Sequence, residues 1–218
     1  MSEQSAVSKN LNRILKIING REVRIVAVTK YYDSSKIKEA YCAGLRDFAE
    51  SRALEAVEKI NKLDDEIKSK STYHFIGHLQ TNKVKYVVGN FDYIQSVDSL
   101  KVAEQIAKYA QEKNIVQKIL IQVNNADEES KFGIAPSQLD ELIEEISKLS
   151  SISIEGLMNI APLIDDEKEL RKLFSQMRHL KEKYSLKELS MGMSNDYKIA
   201  LDEGATMIRL GRKLFENS

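Results

Sequence analysis

The chain has 218 residues, 42% of them hydrophobic, which is enough to bury a full core either as one α/β barrel or as two smaller domains. Its 33 basic and 33 acidic residues cancel, so no overall field draws it to nucleic acid or to an anionic membrane, and any anion site has to be local. The single cysteine, Cys42, excludes an internal disulfide and any multi-cysteine metal site, and its place in the pattern Ile37, Ala40, Tyr41, Gly44 predicts buried packing on a helix.

The polar start MSEQSAVSKN lacks the charged-then-apolar order of a secretion signal, and no apolar run approaches the ~18 residues of a membrane helix. A soluble cytoplasmic protein is expected. Val7, Leu11, Ile14, Leu15 and Ile18 recur at helical spacing, predicting a helix over 3–19 that ends at Gly20. The four residues after Arg24, Ile25 to Val28, are apolar and mostly β-branched, as in a strand covered on both faces, and Lys30 follows. Asp33-Ser34-Ser35 starts a helix reaching about Ala43. Arg46–Ala49 is a second strand, Leu54, Val57 and Ile60 mark the next helix, and the charged run 62–71 reads as a solvated loop or a helix extension. Tyr73–Gly77 is a third strand and 78–82 the loop into a helix on Val84, Val87 and Val88. Tyr93–Gln95 is a fourth, leading through Ser96–Ser99 to a helix over about 100–113.

Lys118–Val123 is the fifth strand; a polar loop over 124–134 follows, and Pro136 opens a helix on Leu139, Leu142, Ile143 and Ile146. Ile152–Leu157 is the sixth strand, Asp166–Tyr184 a long helix, and Glu188–Ser190 starts the seventh strand. Ser194–Glu203 reads as a short helix ended by Gly204, and Thr206–Leu210 as the eighth strand. Eight strands alternating with helices predict a single (β/α)8 TIM-type barrel over residues 1–218 with an extra N-terminal helix. A doubly wound open sheet is the alternative, but no G-x-G-x-x-G loop follows the first strand.

In such a barrel the residues just past each strand converge on one face: Lys30, Glu50 with Ser51, His78, Ser96, the loop 124–133, Met158 with Asn159, 191–195 and 209–212. A lysine there carries an amine whose pKa falls readily when it is partly desolvated, and such an amine forms Schiff bases. Ser194 at a helix start, with the N–H groups of Gly211 and Arg212 after strand eight, makes a phosphate site of the kind barrels often build from their last loops. Arg209 adds a permanent cation. An amine and a phosphate site across one barrel mouth suit pyridoxal 5'-phosphate (PLP). His74 lies within a strand and His179 within a helix, both structural in expectation, and no carboxylates stand at ligand spacing, so no metal is expected. Lys131 is either a second reactive amine or a solvated lysine.

The segments VAVTK, YHFIGHLQTNKVKYV, SVDS, VNNADEESKFGI, GLMNIAP and LSMGMSNDYKIALDEGATMIRLGRKLF, in this order, resemble the pyridoxal phosphate homeostasis proteins, whose fold is similar to the N-terminal barrel of alanine racemase. The resemblance spans about residues 7–216. It implies PLP held as an internal aldimine on Lys30, the phosphate on Ser194, Gly211 and the Arg212 backbone, and Arg209 facing the pyridine nitrogen. Met191, in the LSMGMS segment, and His78 are counted with the cofactor-binding residues. An arginine facing that nitrogen keeps its own proton, so the ring nitrogen stays largely unprotonated and the cofactor is a poor electron sink. One departure is Ser51, where the family commonly has asparagine.

The resemblance further implies a PLP carrier or regulator of vitamin B6 and amino-acid balance, with no fast turnover of its own. In alanine racemase the second acid/base comes from a C-terminal domain. The alternatives are a slow PLP-dependent racemase or related enzyme, and a scaffold handing PLP to apo PLP-dependent enzymes. No sequence feature marks an oligomer, so a monomer is expected.

Overall fold

The computed structural model describes residues 5–126 and 132–216. Its eight strands are β1 (Arg24–Val28), β2 (Asp47–Glu50), β3 (Thr72–Phe75), β4 (Tyr93–Val97), β5 (Gln117–Gln122), β6 (Ile152–Met158), β7 (Glu188–Ser190) and β8 (Met207–Leu210). They pair in sequence order, all parallel, and β8 returns to β1 to close the barrel. Helix α1 (Ala6–Ile18) precedes β1; α2 (Ser34–Cys42), α3 (Ala53–Asn61), α4 (Asp65–Ser69), α5 (Val84–Val87), α6 (Leu100–Glu112), α7 (Leu139–Ser147), α8 (Glu167–Lys183) and α9 (Tyr197–Asp202) lie between strands, and α10 (Arg212–Phe215) follows β8. This is the expected (β/α)8 barrel with its extra helix.

The strands are buried on both faces, and successive side chains alternate between them. Ile25, Ala27, Phe48, Phe75, Ile94, Ile119 and Ile121 join the helices in one large apolar cluster, while Val26, Ala49, Tyr93, Leu120, Met158 and Met207 form a separate cluster inside the barrel. A fully buried Leu, Ile or Phe stabilises by roughly 1.5–3 kcal/mol, so the outer layer carries most of the apolar stabilisation. Each helix meets it along a stripe: Val102, Ala103, Ile106 and Ala110 of α6, and Val7, Leu11, Ile14 and Ile18 of α1. The small interior cluster leaves room for polar side chains, and His74, Gln95, Ser190 and Arg209 are all buried.

Four expectations change. The charged run 62–71 contains α4, because Leu63 and Ile67 are apolar enough to seat one turn on the core. The helix expected from Ser194 begins at Tyr197, since the preceding residues form a turn. Helix α10 was not anticipated. Cys42 ends α2 on its outer side and is exposed, because the buried stripe of that helix runs through Ile37 and Ala40. Lys131 lies outside the described residues. Among the described residues no helix is long and apolar enough to cross a membrane, and no three His, Cys, Asp or Glu side chains cluster as metal ligands.

Candidate cofactor site

Past the carboxyl ends of β1 and β8 the barrel opens into a cleft of about 410 Å³, lined by Val28, Lys30, Tyr31, Tyr32, the turn 193–196, Arg209, Gly211 and Arg212, with Pro162 and Leu163 on the far side. Lys30 is half-buried, and its Nζ lies 4.9 Å from the centre of the Tyr31 ring. The chain before it is held firmly. Thr29 N–H donates to Ala49 O at 3.0 Å and its hydroxyl donates to Glu50 Oε1 at 2.6 Å. A lysine two residues past a barrel strand thus projects from a fixed support, the arrangement a covalent anchor needs.

The opposite wall is the turn after β7. Gly192 has φ +89°, and a Cβ there would run into the Ala200 side chain and come within 3.0 Å of Tyr197 Cα, so this corner requires glycine. The Asp196 carboxylate accepts a hydrogen bond from Met193 N–H and closes the turn. Ser194 Oγ accepts a long bond, 3.4 Å, from Lys213 N–H, which ties this turn to the start of α10. Among the described residues nothing accepts from the Gly211 and Arg212 N–H groups. A hydroxyl and two N–H donors side by side suit an oxyanion.

Arg209 occupies the floor and is 3% exposed. Its Nη1 donates to Ser190 Oγ at 2.7 Å and its Nη2 to Asn159 O at 2.6 Å. Burial pulls its pKa down to about 10, with Asp196 opposing the shift, so it remains a cation at neutral pH.

The fold therefore brings Lys30, Ser194, Arg209, Gly211 and Arg212 to one cleft. It places Met191 elsewhere: with Leu189 it has the outward parity of β7 and is fully buried in the outer cluster, its N–H on Met207 O, while Met193 lines the cleft instead. His78 sits in a separate groove with Ser51 and Lys83. Its ring stacks on Phe132 at 3.7 Å and its Nδ1 is 3.7 Å from Asp98 Oδ2. Ser51 lines that groove and not the cleft. Sequence reasoning did not pick out Tyr31, Tyr32 or Ser190; the first two follow the strand-one lysine directly and were open to the same strand-end argument, whereas Ser190 carries no local signal.

The family model for the alanine racemase N-terminal domain matches residues 3–217. A pyridoxal phosphate homeostasis protein of Aquifex aeolicus is 37% identical over 226 residues, covering 99% of this chain and 98% of the relative. The chain belongs to the pyridoxal phosphate homeostasis protein family. A second member, from Synechocystis, is 42% identical over 199 residues, covering 88% of this chain and 90% of its own. PipY of Synechococcus elongatus PCC7942, solved with PLP bound, matches with a TM-score of 0.85 at 37% identity, covering 96% of this chain and 99% of that one. Of the segments that carried the family resemblance, HFIGHLQTNK falls on β3 and the turn after it, and LSMGMSNDY on β7 and the turn that walls the cleft.

Proposed function

We propose that the protein binds PLP in this cleft and serves its homeostasis as a carrier, the whole chain acting as one binding domain. The observation that carries the reading is the donor set of the cleft: an amine on one wall, a hydroxyl and two unengaged N–H groups on the other, and a buried cation between them. Bound PLP supplies an aldehyde that condenses with an amine and a ring that withdraws electrons from groups attached to it. Lys30 Nζ is the amine that anchors it. Ser194 Oγ and the N–H groups of Gly211 and Arg212 hold the phosphate, and Arg209 donates toward the ring nitrogen and keeps its own proton. A ring nitrogen left unprotonated withdraws electrons weakly, which suits storage and delivery better than breaking bonds to a Cα. The names of the relatives and the PLP in the PipY structure support the same reading. It places the protein in the cytoplasm, as a monomer that releases PLP to apo PLP-dependent enzymes.

Borohydride reduction of the loaded protein, followed by peptide mapping, tests the anchor. Label on Lys30, lost in Lys30→Ala, is the expected result; label on Lys59, Lys131 or another lysine in native protein overturns it. Exchange of the α-proton of free amino acids into deuterated water separates carrier from slow racemase. The carrier reading requires no exchange above that given by free PLP.

A further inference from the structure

A continuous chain of hydrogen bonds runs from the cleft through the barrel interior to its opposite rim. Arg209 Nη1 donates to Ser190 Oγ at 2.7 Å, Ser190 Oγ to Gln95 Oε1 at 2.7 Å, Gln95 Nε2 meets His74 Nδ1 at 2.9 Å, and His74 Nε2 meets Asp47 Oδ1 at 2.9 Å. His74, Gln95 and Ser190 are fully buried. The side chains come from five strands, β8, β7, β4, β3 and β2, so the chain crosses the interior and does not follow any one element.

Its direction is fixed at the far rim, because the Asp47 carboxylate only accepts and the buried His74, whose pKa burial lowers, carries a single N–H. His74 Nε2–H donates to Asp47, so Nδ1 is bare and accepts from Gln95 Nε2. The Gln95 amide thus turns Oε1 to Ser190, whose hydroxyl donates to it while its oxygen accepts from Arg209. The other Gln95 N–H is occupied by Met207 Sδ at 3.6 Å. His74 stacks on Tyr93, with ring centres 5.0 Å apart. Arg24 flanks Asp47 at 3.7 Å, and both Arg24 and Lys118 lie over the Tyr93 ring. Successive bonds in a dry interior polarise one another, so the carboxylate at the far rim strengthens Ser190 as the acceptor for the buried cation.

We infer that Ser190, Gln95 and His74 are positioning residues for Arg209: their single permitted donor order, closed by Asp47, orients the guanidinium so that its remaining N–H groups face the cofactor ring. The inference rests on the PLP reading of the cleft. The same order predicts what breaks it. A carboxylate at position 95 has no N–H to give, so one more proton must enter the contact, on His74 Nδ1 or on the carboxyl itself.

The test has one arm without cofactor and one with it. In ¹⁵N-labelled, cofactor-free protein, long-range proton–nitrogen spectra should show His74 as the Nε2–H tautomer, and Gln95→Glu, nearly the same shape, should at the same pH either protonate both His74 nitrogens or keep the new carboxyl protonated. A wild-type Nδ1–H tautomer, or a Gln95→Glu variant in which neither His74 gains a proton nor the new carboxyl keeps its own, overturns the donor order. In PLP-loaded protein, Gln95→Leu and Ser190→Ala should displace the cofactor absorption band in the same sense and weaken PLP binding roughly tenfold, the loss of one hydrogen bond to a charged group. Cys42→Ser, remote and exposed, should do neither. Should Gln95→Leu not fold, Ser190→Ala carries the arm alone. Borohydride labelling that misses Lys30 in wild type sinks the PLP reading itself; labelling at Lys30 with an unmoved band in Ser190→Ala sinks only this inference.

Discussion

Lys59 Nζ lies 2.7 Å from Glu50 Oε1 and 2.9 Å from the Thr29 carbonyl oxygen, so one ammonium from α3 ties the ends of β1 and β2 together just before Lys30. Glu50 is 3% exposed and also accepts from the Thr29 hydroxyl. Removing one member of a buried pair leaves the other charged and unsolvated, which costs about 3–5 kcal/mol, a large share of the roughly 5–15 kcal/mol that holds a domain folded. We expect Lys59→Met to lower the unfolding free energy of cofactor-free protein in urea by about 3 kcal/mol. The double variant Lys59→Met, Glu50→Gln should lose clearly less than the sum of the two single changes. Additive losses would show that the pair is not coupled.

His74 gives the stability a pH dependence whose sign follows from its surroundings. Burial lowers its pKa, and the hydrogen bond and charge of Asp47, which raise it, do not win. The unfolded chain therefore takes up a proton at about pH 6.5 that the folded protein still refuses. Stability from this group is fully present above about pH 6.5 and is lost as pH falls below it toward the folded pKa, by up to about 1.4 kcal/mol per pH unit. Unfolding free energies of wild type and His74→Gln, compared between pH ~7.5 and ~5, should diverge, with wild type falling more steeply. Parallel curves would mean that folding leaves the His74 pKa unshifted, and divergence in the opposite sense that His74 is protonated when folded.

Ser194 should contribute to binding more than to folding. Its one hydrogen bond among the described residues, from Lys213 N–H, is long at 3.4 Å and exposed, so little stability depends on it. Ser194→Ala should weaken PLP by about 1–2 kcal/mol, roughly tenfold, and should weaken inorganic phosphate as a competitor in proportion. Binding of pyridoxal without its phosphate should not change. A similar loss for pyridoxal would move Ser194 away from the phosphate.

The barrel was legible because each strand is a short apolar run and each helix repeats its apolar residues at three and four, and these two periods alternate along the whole chain. The strand-end rule then brought Lys30, Ser194, Arg209 and Gly211 to one face. It did not reach Met191, because a one-residue step along a strand reverses the side on which a side chain lies, and β7 is too short to show its parity in sequence. Cys42 was misread for a related reason: it lies one position off the stripe of α2. Helix α4 hid in a charged run with only Leu63 and Ile67 to mark it. The interior chain could not be read at all, since its members stand at 47, 74, 95, 190 and 209, and only closure of the barrel makes them neighbours.

Asn10 of α1 donates through Nδ2 to Leu214 O at 3.2 Å and to Glu216 O at 3.0 Å, across a separation of more than 200 positions. The segment it clasps follows directly on β8, which carries Arg209 and whose pairing with β1 closes the barrel. During synthesis on the ribosome, α1 and β1 with Lys30 emerge long before β8 and α10, so the amine exists well ahead of the wall that would hold a phosphate beside it. With Lys30 before α2 and Arg209 on β8, the two walls meet only when β8 pairs with β1 and α1 fastens the segment after it, which makes the cleft a property of the closed barrel.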